Sequence, residues 1–483
     1  MLIELINMNT DRQNILNRFS VTEADLLKVI TEALGKGGDY ADIFFEHTFS
    51  NSLSLRDGEV NRVSSNIDFG AGIRVVCGDQ TGYAYVENIE LKELMKAAQT
   101  AANIASSSCR TEYPVEVKES LFSNHYKVKK PWIDISVADK KSFVQKLNDH
   151  IFALDKRTIK ATVNLSDSTS YILFFNSEGI LTWDYRPMCI MSGSCTMEQD
   201  GKIENGYSSR AYRMGFEFLS QDLIDIIAKE AVEQTSLMFE AIKPKGGEMP
   251  VVMGAGSSGI LLHEAIGHTF EADFNRKKTS IFSDQLGKQI CSPTINVVDD
   301  GTMEFQRGGS INFDDEGIES QKTYIVKDGR LESYLHDRIS AKYYGGVKPT
   351  GNGRRQSFRY MPMPRMRVTY MENGTTPEAD IIASVKQGIY VDNFTNGQVQ
   401  IGAGDFTFFV KTGYLIENGK LTQPIKDINI IGNGAKALGD ITMVGDNLKI
   451  DEGAWTCGKN GQSAPVGQGL PSVLISNLTV GGE

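Results

Sequence analysis

The chain has 483 residues, 40% of them hydrophobic and 23% charged, with a net charge of −11. That length favours two or three domains with a sizeable core. The acidic balance excludes a protein that grips nucleic acid through an overall basic surface, and no apolar run approaches the ~18 residues of a membrane span.

The N-terminus, MLIELINMNTDRQ, has no basic stretch and meets Glu4 and Asp11 early, so it does not read as a secretory signal. Six scattered cysteines form no C-x-x-C pair, and in a long chain without an export signal they read as reduced thiols. The expected location is the cytoplasm. Ser20-Val21-Thr22-Glu23 reads as a capping box opening a helix with Leu26, Leu27, Ile30 and Leu34 on one face. The period then changes to two. Residues 41–46 and 52–55 read as strands, with Asp57-Gly58 as a hairpin turn, and residues 70–76 and 81–86 continue the meander. Residues 89–107 are Ala-rich and helical.

Pro131 opens a second segment. Residues 137–155 read as a helix, followed by strands near 159–165, 171–176, 180–185, 189–197 and 207–212, then a helix over 221–241. Lys243-Pro244-Lys245-Gly246-Gly247 is the best domain junction. Beyond it, Asp328-Gly329, Asn373-Gly374, Asn396-Gly397 and Asn418-Gly419 each separate plausible strands, with helices only near 260–273 and 377–387. The expected fold is α+β. Residues 1–242 form an N-terminal domain of antiparallel sheets with helices, subdivided near 130, and residues 243–483 form a β-rich domain carrying a distorted metal-binding helix.

That helix holds the most informative stretch, His263-Glu264-Ala265-Ile266-Gly267-His268. With six histidines in the whole chain, such a pattern arises by chance in well under roughly one sequence in a hundred. Two imidazoles flanking a carboxylate suggest a zinc-activated water with a glutamate to move its proton. The histidines sit at i and i+5, however, which on a regular helix puts them roughly 140° apart. One extra residue in the turn, a π-bulge, brings them together, and Gly267 lies where that bulge would fall. The preceding Gly254-Ala255-Gly256-Ser257-Ser258-Gly259 fits a dinucleotide fingerprint, but no second apolar strand with a terminal acid follows promptly. The glycines read instead as letting the backbone turn sharply and approach a ligand or substrate closely.

A catalytic zinc takes three protein ligands. Candidates for the third are Glu271, Asp273, Cys291, His336 and Cys457. Cys457 stands out because it lies in a polar loop where a buried hydrophobe has no purpose, and Glu271, about one turn past His268, comes second. Arg354, Arg355, Arg359, Arg365 and Arg367 form a cluster that reads either as a solvated basic face or as a holder of a substrate carboxylate or partner.

Read together, Gly254-Ala255-Gly256 before the His263–His268 stretch, Gly353-Arg354-Arg355-Gln356-Ser357 with Pro362-Met363-Pro364-Arg365-Met366, and Cys457-Gly458-Lys459-Asn460-Gly461-Gln462-Ser463-Ala464-Pro465-Val466-Gly467 are specific in combination. The chain resembles the TldD/PmbA family of metallopeptidases, also called modulators of DNA gyrase, over nearly its whole length. Because the metal motif is intact, it looks like the TldD branch rather than the PmbA (TldE) branch. The resemblance implies His263, His268 and Cys457 as zinc ligands and Glu264 as catalytic base. It implies unfolded or short peptides as substrates, and a homodimer or a heterodimer with a TldE/PmbA-like paralogue. The family pattern reads Arg-Met-Thr-Asn where this chain has Arg365-Met366-Arg367-Val368. Substrate backbone is expected to pair with an exposed strand edge, with Gly402, Ala403 and Gly404, and the Gly-rich loop before the histidine motif, as candidates for it. Direct nucleic-acid or membrane partners are not expected. The main alternative is a non-catalytic regulatory or binding protein with a structural or vestigial metal site; a weaker one is a zinc amidase acting on a small non-peptide amide.

Overall fold

The computed structural model describes residues 11–105 and 116–482. Cys109 and most of the N-terminal stretch read above lie outside them. The fold is α+β. Helices α1 (Arg12–Arg18) and α2 (Glu23–Ala33) lead into three antiparallel strands, β1 (Tyr40–Arg56), β2 (Glu59–Cys77) and β3 (Gln80–Val86), then α3 (Leu91–Ile104). Helix α4 (Val137–Leu154) precedes β4 (Thr158–Asn176), β5 (Ile180–Gln199) and β6 (Lys202–Tyr212), and α5 (Gln221–Glu240) follows. The capping box at α2 lies two residues later than expected. Thr22 is the cap, its hydroxyl accepting from Asp25 N while the Asp25 carboxylate accepts from Thr22 N. Ser20 has φ +53° and turns the chain between α1 and α2.

All six strands form one sheet in the order β3-β2-β1-β4-β5-β6. β1 and β4 are each continuous where the sequence suggested two strands. The polar runs that looked like breaks face each other across the ladder. Thr48 Oγ1 donates to Ser170 Oγ at 2.7 Å, and Asn51 Nδ2 to Asp167 Oδ1 at 3.0 Å. Helices cover one face in two groups, α2 and α3 over Ile43, Phe45 and Ile73, and α4 and α5 over Leu53, Val163 and Met191. The opposite face packs Phe44 and Phe174 against Phe313 and Phe358 from loops of the C-terminal half.

Beyond residue 243 five strands close a ring: β7 (Gly247–Met253), β8 (Gln387–Gln400), β9 (Asp405–Glu417), β10 (Ile428–Asn433) and β11 (Val473–Gly481). β8 pairs parallel to β7 and antiparallel to β9, which continues through β10 and β11 back to β7. A mixed sheet centred on Val297–Asp300, Val368–Met371 and Gly467–Leu470 lies beside the ring. Asp328-Gly329 and Asn418-Gly419 form the expected hairpin turns, with positive φ at both residues of each. Asn396-Gly397 lies inside β8, next to its bulge, and Asn373-Gly374 lies in the loop ahead of the helix Glu378–Ala383; neither is a hairpin turn. Among the described residues no helix is long and apolar enough to cross a membrane.

Candidate metal centre

The glycine loop after β7 leads directly into the histidine stretch. Leu261–Ile266 winds as a π-helix, Gly267–Phe270 tightens to a 3₁₀ turn, and Ala272–Arg276 closes with one α-turn. The wide turn precedes Gly267 rather than centring on it. Gly267 is required for another reason: a Cβ there would run into Met366 Sδ. Gly259 likewise sits against the backbone of Gly469, so the close approach its glycines allow there is to the chain's own backbone. The π-turn rotates the two imidazoles onto one side, with ring centroids 5.1 Å apart and planes at 78°.

The third member arrives from a hairpin, Thr456–Lys459 paired with Gln462–Pro465. Strand alternation points Cys457 and Lys459 to the same side. Cys457 Sγ lies 3.3 Å from His268 Nε2, and one ligand atom from each of His263, His268 and Cys457 lies within 4.8 Å of the others. All three side chains are buried. Neither nitrogen of His263 has a hydrogen-bond partner, although the residue is only 2% exposed. Orphaned polar atoms in such a place are costly unless something else binds them. Two imidazoles and a thiolate suit zinc, whose ligands at ~2.1 and ~2.3 Å in a tetrahedron stand roughly 3.6 Å apart. Burial pushes a thiol up, but the two imidazoles outweigh it and bring Cys457 down to about 4. The sulfur is therefore a thiolate at neutral pH, the form a metal takes.

Behind His268 stands a second layer. Its Nδ1 bonds Glu271 Oε2 at 2.9 Å, which turns Nε2 toward Cys457. Lys459 Nζ donates to Glu271 Oε2 at 3.0 Å, to Asp273 Oδ1 at 2.8 Å and to Pro364 O at 2.9 Å. Burial raises the Glu271 carboxyl, but Lys459 and His268 more than reverse this and hold it at about 2. Glu271 and Asp273, weighed as third ligands, instead sit behind His268 with Lys459 and fix its ring. Lys459 was missed; its signal was the Cys-x-Lys alternation. Cys291 and His336 are elsewhere: burial alone pushes Cys291 up to about 12 and His336 down to about 4. Glu264 Oε2 is 3.8 Å from His268 Nε2, and its side chain is 24% exposed against 2% for His268. It is the one member of the group that reaches toward solvent.

The arginine cluster is not a solvated face. Four of its five members are buried, and they donate to backbone carbonyls. Arg365 binds the carbonyls of Cys457 at 2.6 Å and Gln462 at 3.2 Å, and Arg354 that of Pro465 at 2.7 Å. Arg367, at the point of departure from the family pattern, binds Gly309 O at 3.0 Å and Ser320 Oγ at 2.8 Å. Only Arg359 is partly exposed, paired with Asp68 and Glu87. Residues 401–404 form the turn joining β8 to β9, not a strand edge. Beyond Val391, where β7 stops pairing, the outer side of β8 has no strand beside it among the described residues. Asp392–Thr395 of that edge lines a cleft of about 1190 Å³, together with Gly256, Lys411 and Trp455.

Domain profiles of the PmbA/TldA metallopeptidases match three stretches of the chain: domain 1 at residues 41–105, the central domain at 130–239 and the C-terminal domain at 246–482. A Haemophilus influenzae protein named metalloprotease TldD homolog is 39% identical, over 98% of this chain and 99% of its own. A Saccharolobus solfataricus zinc metalloprotease TldD homolog is 28% identical over 95% of this chain and 100% of its own. Among solved structures, TldE from Thermococcus kodakarensis shares the fold at a TM-score of 0.72 and 19% identity, covering 95% of this chain and 100% of that one.

Proposed function

The chain belongs to the PmbA/TldA metallopeptidase family, and on that premise we propose that it is a zinc peptidase of unfolded or short peptides, with His263, His268 and Cys457 as ligands and Glu264 as base. The observation that carries this reading is the convergence of three donor atoms within 4.8 Å around a buried, otherwise unpartnered His263. When bound, zinc supplies Lewis acidity, polarising a carbonyl and lowering the pKa of water toward ~7.

The remaining steps are those of the chain's own residues. Glu264, beside His268 and open to solvent, takes the proton of the attacking water and returns it to the leaving amine. Glu271 and Lys459 hold His268 in the orientation that presents Nε2. An extended peptide pairs with the free edge of β8 along Asp392–Thr395, reading backbone rather than sequence. The contacts expected at Gly402–Gly404 thereby move along the same hairpin to its edge. In this reading residues 243–483 are the catalytic domain and residues 1–242 a separate one. The protein acts in the cytoplasm with a second copy or a TldE-like paralogue.

Replacing Glu264 by Ala tests it. Zinc content should persist while cleavage of an unfolded peptide falls by about 10²–10⁴-fold. Cleavage that survives the substitution removes the proposed base. A zinc-loaded wild type that cleaves small amides and no peptide, or nothing at all, favours the amidase or the regulatory alternative.

A further inference from the structure

The cleft beside β8 is walled on its other side by the N-terminal half, through Tyr207–Arg210 of β6 and Glu230 and Gln234 of α5. Its acids are satisfied within the chain. Glu230 accepts from Ser208 Oγ and from Arg210 Nη2, each at 2.6 Å, and Arg210 Nε lies 3.2 Å from Glu452. Asp392 accepts from Asn393 Nδ2 at 2.9 Å and Thr412 Oγ1 at 3.2 Å, and Asp451 from Gly453 N at 2.6 Å. Glu233 faces Lys229 at 3.8 Å. Lys411 is the exception. Among the described residues its ammonium has neither a hydrogen bond nor an ion pair, although the side chain is partly buried. Burial lowers its pKa, and no carboxylate offsets the shift. Lys449 also lines the cleft, but it is exposed and acts on Asp392.

The fold places Lys411 deliberately. Phe406, Phe408 and Val410 alternate into the core of the ring, so Lys411 stands on its outer face, in the cleft. The β8–β9 ladder pairs Asn393 with Thr412 and Phe394 with Val410, which leaves Lys411 as the extra residue of a bulge. Bulges re-aim a side chain and gather near active sites. A partly desolvated cation without a counter-charge is costly unless a ligand brings one.

We propose that Lys411 sets the specificity of this cleft by binding a carboxylate carried by the substrate, either the C-terminus of a short peptide or an acidic side chain. The proposal rests on the reading of the cleft as the groove for an extended peptide. A strand added to the outer side of β8 lies two strand spacings, roughly 9–10 Å, from β9. A lysine and an acidic side chain, or a lysine and a chain end, cross that gap together. The pairing is a charge-assisted hydrogen bond in a sheltered place, stronger than its surface counterpart.

The test uses the full-length, zinc-loaded protein and acetylated peptides of one otherwise neutral sequence. One is amidated, one has a free C-terminal carboxylate, and an amidated series carries a single Glu moved along the chain. At least one acid-bearing peptide should show a kcat/KM roughly 10–100-fold above the neutral one, the worth of one hydrogen bond to a charged group. The difference should lie in KM, since Lys411 is no part of the metal cluster. Preference for the free terminus identifies the chain end, and preference at one Glu position the side chain. In Lys411→Met the ratio of acid to neutral should fall to near one, while Lys411→Arg, which keeps the cation, should retain most of it. The same ratio should appear in binding to the Glu264→Ala protein, read by fluorescence anisotropy, which separates recognition from hydrolysis. Equal binding and equal kcat/KM for all the peptides overturn the proposal and leave peptide hydrolysis standing. So does a preference that Lys411→Met retains. A wild type that cleaves no peptide, yet binds the acid-bearing one through Lys411, removes the catalytic reading and keeps this one.

Discussion

The sheet built from residues 40–212 and the loops around the metal cluster bury their backbone polar groups by different means. In the sheet, β1 is laddered on both sides, to β2 and to β4, and side chains alternate between two covered faces. Around the cluster, the ladders are short, and buried guanidinium groups add bonds to the carbonyls of Gly309, Cys457, Gln462 and Pro465. Repetition stabilises the first region, so its geometry changes gradually along the chain. The second depends on a few multivalent side chains, each fixing several distant segments at once. The candidate metal cluster rests on this second design, with no long helix or strand beneath it.

The largest test of this contrast lies where the regions meet. Arg74 of β2 binds Asp42 of β1 and, at 2.6 Å, Glu316 of a C-terminal loop, with all three side chains buried. Arg74→Met strands two carboxylates and should cost about 3–5 kcal/mol in denaturant unfolding. A loss below ~1 kcal/mol would mean the two regions do not depend on each other. Next comes Lys459→Met, which removes the cation behind Glu271 and His268. Zinc affinity, read by chelator competition, should fall roughly 10–100-fold. Unchanged affinity would make Lys459 a packing residue and sharpen the contrast differently, since alternation alone would then place the thiol. The smallest effect belongs to the periodic region: Thr22→Ala deletes the cap of α2 and should cost about 1 kcal/mol in thermal unfolding, with zinc affinity untouched. A change in metal binding there would contradict the separation of the two designs.

The same contrast explains what was legible in the sequence. Helices α4 and α5 and most of the strands follow from alternation and helical spacing, which are local. The long strands were split at Thr48–Ser52 and Ser166–Ser170 because polar runs resemble loops; that each lies opposite the other is a non-local fact. In the loop region the histidine motif stood out through its chemistry, and the π-turn through the mismatch of its spacing. The arginines misled because charge clustering says nothing of carbonyls tens of residues away. Glu271 was noticed for its position one turn past His268, but its role depends on Lys459, 188 residues later.

The central claim is that Cys457 and the two imidazoles share one metal ion, and counting metal measures it most directly. Wild-type protein and a Cys457→Ala variant, purified identically and checked for equal folding, would be analysed for bound zinc against a common chelator. The account predicts one zinc per wild-type chain and, in the variant, binding weaker by at least about 100-fold. Equal zinc in the two proteins, at equal affinity, would contradict it.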